Sequence, residues 1–235
     1  MPAFSLLAFD MDDTLVDTFS TSVPNCVEMV QAEYGVPIQV DDWTKENGYR
    51  GKAGQGLLDA IEADYGAKLD LTDFLARRKQ WLHKQLIQGM PAAPGAPQAL
   101  ATLHAQGRNL CVCTNSVPER AALTLSNVVT ETSVHLPSIF RQHVYSAIPT
   151  MRGKPAPDVY LHAAQQFGVN PATCLAVEDT PSGVQAGLAA GFTVVGYVGL
   201  HTHPEDAASH LKAAGAHHVI PHWDAFLPLL TTLEA

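Results

Sequence analysis

A cluster of carboxylates at the end of a short apolar segment constrains this chain more than any other sequence feature. Residues 5–9 (SLLAF) are typical of a buried strand, and Asp10, Asp12 and Asp13 follow within four residues. Such carboxylates repel one another and resist burial unless a cation or a catalytic task offsets the cost. An isolated Asp-x-Asp is more often an ordinary turn, because turns favour Asp. The functional interpretation therefore depends on the other loops of the chain.

Strand-like and helix-like segments alternate along most of the chain. Strands are expected at 109–113, 144–146, 173–177, 193–198 and 217–220, and helices at 96–105, 119–129, 158–167, 183–190 and 205–214. This alternation is typical of βαβ units, in which a parallel sheet carries helices on both faces. The sequence therefore predicts an α/β fold with a parallel sheet.

A long helical stretch separates the first predicted strand from the others. It contains helical stripes and no segment that resembles a buried strand, and a Pro- and Gly-rich stretch at 90–95 ends it. We therefore expect an α/β core formed by residues 1–16 and 92–235, with an all-helical cap inserted at residues 17–91.

The charge balance limits the partners that the protein can have. The chain has 235 residues with 14 basic and 23 acidic side chains, a formal charge of −9, and no basic block. This argues against a nucleic-acid partner. No secretory signal or bilayer-spanning apolar run is evident, so we expect no membrane association. An acidic protein acting on an anionic substrate needs a local cation, which suggests a metal site.

The cysteines and histidines carry no pattern of metal ligands. Cys26, Cys111, Cys113 and Cys174 contain no Cys-x-x-Cys pair, so we expect reduced core residues and a cytoplasmic protein. Six of the 11 histidines crowd the C-terminal region without regular ligand spacing, namely His201, His203, His210, His217, His218 and His222. We expect them at the solvated surface.

Four polar clusters occupy loops that the predicted topology brings to one edge of the sheet. They are Asp10-x-Asp12, Thr114-Asn115-Ser116, Lys154-Pro155 and Glu178-Asp179. In an open parallel sheet the loops beyond the carboxyl ends of the strands share one crevice. Each cluster alone has an ordinary explanation, as a turn or a solvated charge. Together they supply two acid pairs, a hydroxyl with backbone donors, and one ammonium group.

These motifs resemble those of the haloacid dehalogenase (HAD) superfamily, in the branch with a small helical cap between the first and second motifs. The matching stretches are 9–15 (FDMDDTL), 113–116 (CTNS), 153–158 (GKPAPD) and 177–183 (VEDTPSG). The resemblance covers essentially the whole chain, and residues 153–191 look like the sugar-phosphatase and β-phosphoglucomutase-like members. It implies a three-layer Rossmann-like α/β core with an inserted all-helical cap, and a monomer.

The resemblance also implies a reaction, the hydrolysis of a small phosphorylated metabolite such as a sugar or polyol phosphate. Asp10 would be the nucleophile that forms an aspartyl-phosphate. Asp12 would protonate the leaving alcohol and then deprotonate the attacking water. Thr114 and the amide of Asn115 would hold phosphoryl oxygens, and Lys154 would balance charge between the phosphate and Asp10.

The cofactor implied by the resemblance is Mg²⁺, which binds few carboxylates and takes about six oxygen ligands. Asp10, the backbone carbonyl of Asp12, and Asp179 would bind it. Glu178 would act directly or through a water molecule.

The cap stretch 47–54 corresponds to the substrate-specificity loop of the family. Arg50 and Lys52 could grip the leaving group there, or could be ordinary surface charges. No Schiff-base lysine of the phosphonate-cleaving type is obvious, although Lys45 and Lys52 keep that option open. These alternatives stay open on the sequence alone.

Two residues of the first motif bear on the choice of activity. Many relatives carry Gly where this chain has Asp13, which we interpret as a loop-shaping residue. Thr14 favours a phosphatase, because mutases of this branch more often have Val there. A phosphoglucomutase-like isomerase, which returns the phosphoryl group to the sugar, is the alternative. A non-catalytic phosphate-binding protein would be expected to lack a motif acid, and all of them are present.

Overall fold

The computed structural model describes residues 4–44, 48–49 and 54–235, which divide into two compact units. One unit contains the residues up to Asp17 together with Met90–Ala235, and we call it the core unit. The other is Thr18–Gly89, which we call the helical unit.

The strands all belong to the core unit. They are β1 (Leu6–Phe9), β2 (Met90–Pro91), β3 (Leu110–Thr114), β4 (Val128–Val129), β5 (Val144–Ser146), β6 (Cys174–Glu178), β7 (Thr193–Tyr197) and β8 (His218–Ile220). Six of them form a parallel sheet in the order β5-β3-β1-β6-β7-β8, and β2 and β4 pair separately. The prediction of an α/β fold with a parallel sheet is confirmed.

The helices connect the strands and also form the helical unit. They are α1 (Phe19–Tyr34), α2 (Asp41–Thr44), α3 (Gln55–Tyr65), α4 (Leu71–Gln88), α5 (Ala96–Ala105), α6 (Pro118–Ser126), α7 (Leu136–Phe140), α8 (Asp158–Phe167), α9 (Pro181–Ala189), α10 (Pro204–Ala213) and α11 (Phe226–Glu234). Within the described ranges, no helix combines the length and apolar character needed to cross a bilayer.

The register of the central strands explains how the sheet positions polar residues. All four residues of β1 are buried, as expected for an apolar strand covered on both faces. Phe9 at its end pairs with Val112 of β3 and with Val177 of β6. The loops after β1, β3 and β6 therefore begin at the same edge of the sheet.

The helical unit has an apolar centre of its own. Val30 of α1, Ile61 of α3 and Phe74 of α4 are among its buried members. The rings of Trp43 and Tyr49 meet edge to face with centroids 5.2 Å apart. This packing matches the helical stripes that the sequence shows for this stretch.

Several short elements were not predicted from the sequence. The paired strands β2 and β4 fall in segments interpreted as a linker and as the end of a helix, but α6 already ends at Ser126. Two-residue strands are too short to show an alternating pattern. Helix α11, which follows β8, was not predicted either.

Candidate active site

The acidic residues of the predicted site lie at the carboxyl edge of the central strands. Asp10 follows β1, and its amide donates a hydrogen bond to the Val177 carbonyl of β6 at 3.0 Å. Glu178 is the last residue of β6, and Asp179 follows it. The parallel pairing of β1 with β6 thus places these three carboxylates side by side.

Lys154 connects this acid cluster to β3. Its ammonium nitrogen lies 2.5 Å from Asp10 Oδ1, 2.6 Å from Glu178 Oε1 and 2.7 Å from the Cys113 carbonyl oxygen. An ammonium group has three hydrogens to donate, so these partners satisfy it. Burial alone lowers the pKa of Lys154, but the charges of Asp10 and Glu178 outweigh it and raise the pKa above its ordinary value.

Asn115 holds the loop that carries Lys154. Its side-chain oxygen accepts from the Lys154 amide at 2.9 Å, and its Nδ2 donates to the Lys154 carbonyl at 3.4 Å. A Cβ at Gly153 would lie 3.1 Å from Asn115 Oδ1, so glycine eases this close approach. The side chain of Asn115 therefore positions the lysine.

The three carboxylates carry more negative charge than their surroundings offset. Each of Asp10, Glu178 and Asp179 contributes one carboxylate oxygen to the cluster, and these three oxygens lie within 4.8 Å of one another. Burial, opposed by the Lys154 charge and reinforced by the charge of Glu178, raises the pKa of Asp10 to about 8. Burial also raises the pKa of Asp179 well above its ordinary value, and the charges of Asp10 and Glu178 add to this.

The donor set of this cluster fits a divalent cation such as Mg²⁺. Hard divalent cations take oxygen ligands, and this cluster offers carboxylate oxygens from three residues. The hydroxyl of Tyr160 donates to Glu178 Oε1, whereas Glu178 Oε2 is buried and has no hydrogen-bond partner among the described atoms. A cation bound by this group would offset the excess charge and lower the pKa values again.

Gly183 makes room for the Glu178 side chain. A Cβ at this position would lie 1.9 Å from Glu178 Oε2, a distance that no atom can occupy. Thr180 caps the start of α9 by accepting from the Gly183 amide at 3.2 Å. The first turn of α9 therefore lies against a carboxylate of the cluster, which is favourable at a helix N-terminus.

Asp12 is held by two residues of the loop and helix that follow β3. Its Oδ1 lies 2.6 Å from the Arg120 guanidinium, and its Oδ2 accepts from the Ser116 hydroxyl at 2.6 Å. Sequence reasoning missed Arg120. The sequence offered only one signal for it, namely that Arg120 lies four residues after Ser116. Many arginines at protein surfaces have a similar spacing from a serine, so this signal is weak.

Asp179 has two further neighbours. The Thr14 hydroxyl donates to its Oδ1 at 3.4 Å, and Nε2 of His201 lies 3.1 Å from its backbone carbonyl oxygen. The His201 side chain is 18% exposed, so it is less solvated than the sequence suggests. The spacing of His201 in the sequence gives no signal for this contact, which arises because β6 and β7 are adjacent.

The remaining predicted residues divide into two groups. Thr114 ends β3, is buried, and its hydroxyl accepts from the Ser116 amide at 3.0 Å. Arg50 and Lys52, and also Lys45, lie outside the described residues. The structure thus brings together the predicted residues of the core unit, namely Asp10, Asp12, Thr114, Asn115, Lys154, Glu178 and Asp179.

The core unit is thus a Rossmann-like α/β sheet that carries clustered carboxylates and a buried ammonium at its carboxyl edge. The chain belongs to the haloacid dehalogenase-like hydrolase family, whose profile matches residues 4–191. This confirms the resemblance inferred from the four sequence motifs.

The names of similar proteins describe enzymes that act on phosphorylated metabolites. (DL)-glycerol-3-phosphatase 1 of Arabidopsis thaliana is 32% identical over 195 residues, which cover 80% of this chain and 61% of that protein. Hexitol phosphatase A of Escherichia coli is 30% identical, with 80% of each chain covered. β-Phosphoglucomutase of Mycobacterium tuberculosis is 28% identical and covers 90% of this chain and 87% of its own length. The match to the first of these spans less than two thirds of that relative.

Solved structures of similar proteins share the fold along almost the full chain. A HAD family hydrolase from Deinococcus radiodurans, crystallised with bound phosphate and sodium, is 29% identical with a TM-score of 0.82. The alignment covers 99% of this chain and 97% of that one.

Proposed function

We propose that this protein is a Mg²⁺-dependent phosphatase that hydrolyses a sugar or polyol phosphate through an aspartyl-phosphate on Asp10. The observation that carries the proposal is the cluster of three buried carboxylates around Lys154. The names of the relatives, which include a glycerol-3-phosphatase and a hexitol phosphatase, support the substrate class.

Asp10 is the proposed nucleophile. The ammonium of Lys154 holds Oδ1 of Asp10, which limits rotation of the carboxylate. One carboxylate oxygen attacks phosphorus, so that a bond to Asp10 forms as the bond to the leaving oxygen breaks. The covalent intermediate divides one difficult displacement into two easier ones.

Asp12 is the proposed general acid and base. It gives a proton to the leaving alcohol in the first step and takes one from the attacking water in the second, which restores Asp10 and releases phosphate. General acid and base catalysis of this kind contributes about 10²–10⁴-fold to the rate.

Asp10, Glu178, Asp179 and the backbone carbonyl of Asp12 are the proposed metal-binding groups. When bound, Mg²⁺ supplies charge neutralisation for the phosphoryl group and for the clustered carboxylates. Lys154 adds a fixed positive charge to the same place. The Thr114 hydroxyl and the Asn115 amide are the proposed donors to phosphoryl oxygens.

The wider assignments follow from the same proposal. The substrate is a small phosphorylated molecule, and Arg50 and Lys52 contribute to its selection. The four cysteines are free and buried, which suits a reducing compartment such as the cytoplasm. The protein is proposed to act as a monomer.

A phosphoglucomutase-like isomerase is the second candidate, because the β-phosphoglucomutase relative aligns over more of this chain than the phosphatases do. Thr14 favours the phosphatase, since mutases of this branch more often have Val there. Both enzymes share the aspartyl-phosphate, so the fate of the phosphoryl group distinguishes them.

A panel of sugar and polyol phosphates, assayed for both free phosphate and isomerised product, tests the proposal. We expect Mg²⁺-dependent phosphate release, abolished by EDTA and by Asp10→Asn. The control is Arg108→Met, which removes an arginine paired with Glu234 rather than with an acid of the site. Isomerised product without release would favour the mutase, and full activity of Asp10→Asn would refute Asp10 as nucleophile.

A further inference from the structure

We propose that Arg120 is a positioning residue that orients the Asp12 carboxylate for proton transfer to the leaving group. The inference rests on the proposed phosphatase function. It assigns a role to a residue outside the four sequence motifs.

The contacts form a closed ring of three hydrogen bonds. Arg120 donates one NH group to Asp12 Oδ1 at 2.6 Å and the other to the Ser116 hydroxyl at 2.7 Å. Ser116 in turn donates its hydroxyl hydrogen to Asp12 Oδ2 at 2.6 Å. The Ser116 hydroxyl accepts one hydrogen bond and donates the other, and the Arg120 guanidinium only donates. Both carboxylate oxygens of Asp12 are therefore held by the same ring.

The ring is anchored to the sheet and to a buried helix face. The Ser116 amide donates to the Thr114 hydroxyl at 3.0 Å, and the Ser116 carbonyl accepts from Ser146 of β5 at 2.6 Å. Arg120 lies on α6 beside Ala121 and near Leu125, both of which are buried. The positions of Ser116 and Arg120 are therefore set by the fold.

This anchoring matters because proton transfer requires short, directed contact. A general acid must come within hydrogen-bond reach of the leaving oxygen, about 2.6–3.2 Å. Without the ring, the Asp12 side chain would sample several rotamers at a partly exposed position. Each carboxylate oxygen can accept more than one hydrogen bond, so the ring leaves Asp12 able to meet the substrate.

The role makes a specific prediction about leaving groups. In the first step the bond from phosphorus to the leaving oxygen breaks, and the electron pair stays on that oxygen. An alkoxide needs the Asp12 proton at that moment, whereas p-nitrophenolate is stable without it. Loss of positioning should therefore slow transfer from alkyl phosphates and spare transfer from p-nitrophenyl phosphate.

The test compares kcat/KM for two substrates in five proteins, because kcat/KM reports transfer to Asp10. The substrates are the best alkyl phosphate of the panel and p-nitrophenyl phosphate. The proteins are the wild type, Arg120→Met, Ser116→Ala and Arg108→Met, with Arg120→Lys added as the conservative variant. Thermal unfolding with and without Mg²⁺ reports the folded state of each.

We expect Arg120→Met to lose about 10–100-fold in kcat/KM on the alkyl phosphate and less than about threefold on p-nitrophenyl phosphate, a fraction of the full acid-base contribution. Ser116→Ala should show the same selectivity with a smaller loss, and Arg120→Lys should recover part of it. Arg108→Met should match the wild type. With p-nitrophenyl phosphate, Arg120→Met should give a burst of nitrophenolate, because breakdown of the intermediate still needs Asp12 as base.

Three results would overturn the inference. Equal losses on both substrates would mean that Arg120 acts on phosphate binding or on structure. No loss in Arg120→Met would mean that Asp12 needs no such support. If Arg120→Met does not fold, Ser116→Ala provides the test instead. A folded Ser116→Ala with an unchanged ratio of kcat/KM on the alkyl phosphate to kcat/KM on p-nitrophenyl phosphate would also overturn the inference. A wild type that hydrolyses neither substrate would instead refute the proposed phosphatase.

Discussion

The core unit and the helical unit each bury a carboxylate to the same extent, but the two carboxylates have different hydrogen-bond partners and neighbouring charges. Asp10 of the core unit and Asp42 of the helical unit are both 8% exposed. Asp42 Oδ2 accepts hydrogen bonds from the Tyr65 hydroxyl at 2.5 Å and from the Gln39 amide at 2.8 Å, both of them neutral donors. Asp10 instead shares one ammonium with Glu178 and faces other carboxylates.

The difference separates a carboxylate whose hydrogen bonds the fold supplies from one that lies in a cluster of like charges. A buried polar group is stable when the fold supplies its hydrogen-bond partners, as the helical unit does for Asp42. Three carboxylates with one ammonium leave an excess of negative charge that the described residues do not offset. Such an arrangement is costly for folding and is typical of a site that binds a cation.

The largest expected effect on stability comes from adding a methyl group at Gly183 of the core unit, with Gly56 of the helical unit as the matched control. Gly183→Ala would put Cβ at 1.9 Å from Glu178 Oε2, so we expect a loss of about 3 kcal/mol in the free energy of unfolding. Gly56 of α3 has no described atom within 4 Å of an added Cβ. Gly56→Ala should be neutral or stabilising by about 0.5–1 kcal/mol. Denaturant unfolding measures both.

The glycine pair also has a functional readout. Because Glu178 belongs to the acid cluster, Gly183→Ala should weaken the response to Mg²⁺, whereas Gly56→Ala should leave that response intact. Equal stabilities of the two variants would show that the first turn of α9 can move away from Glu178 without cost.

The next effect is stabilisation by Mg²⁺ itself. A ligand that binds only the folded state at a hundredfold excess over its Kd adds about 2.7 kcal/mol. We expect a rise in Tm with Mg²⁺ for the wild type and a much smaller rise for Asp179→Asn. Asp42→Asn should retain the full rise. A Tm that is indifferent to Mg²⁺ in the wild type would contradict a cation site at Asp10, Glu178 and Asp179.

Matched substitutions of the two buried aspartates should change stability in opposite directions when EDTA is present. Because burial raises the pKa of Asp10 to about 8, this carboxyl must take up a proton on folding at pH 7; Asp10→Asn removes that cost, and we expect it to stabilise the protein by about 2 kcal/mol. Asp42→Asn weakens bonds from Tyr65 and Gln39, and we expect a loss of about 1 kcal/mol. Chemical unfolding at pH 7 measures both values. Changes of the same sign would remove the distinction between the two carboxylates.

The same contrast explains how far the sequence alone could be interpreted. The sequence allowed the positions of Asp10, Lys154 and Glu178 to be predicted. Each of these residues follows a strand or precedes a core helix at the carboxyl edge of a parallel sheet. The roles of Arg120 and His201 could not be predicted, because they arise from contacts with Asp12 and Asp179 that no local pattern encodes. The sequence signals were therefore strong where topology alone decides the position.

The first motif shows the same limit at the level of one dihedral angle. Asp13 has φ of 58°, in the left-handed region that Gly prefers and that Asp tolerates better than most residues. This accounts for the interpretation of Asp13 as a loop-shaping residue where many relatives carry Gly. The sign of φ itself could not be derived from the motif, because Asp is equally common in ordinary turns.

A third carboxylate, partly exposed and paired with one arginine, should give the smallest effect. Glu234 of α11 accepts from Arg108 at 2.5 Å and from the Phe4 amide at 3.0 Å. Partial burial by itself raises the pKa of Glu234, but these hydrogen bonds outweigh it and hold the pKa below its ordinary 4.5.

A lowered pKa in the folded state means that the contribution of Glu234 is fully present above pH 4.5 and is lost as the pH falls through the folded-state value. Glu234→Gln should therefore cost about 0.5–1 kcal/mol at pH 7 and progressively less below pH 4.5, when unfolding is compared with the wild type at each pH. Because both proteins share every other carboxylate, the acid cluster cancels from the difference. A difference that stays constant on acidification would mean that Glu234 is held by its packing in α11 and not by the charge of Arg108.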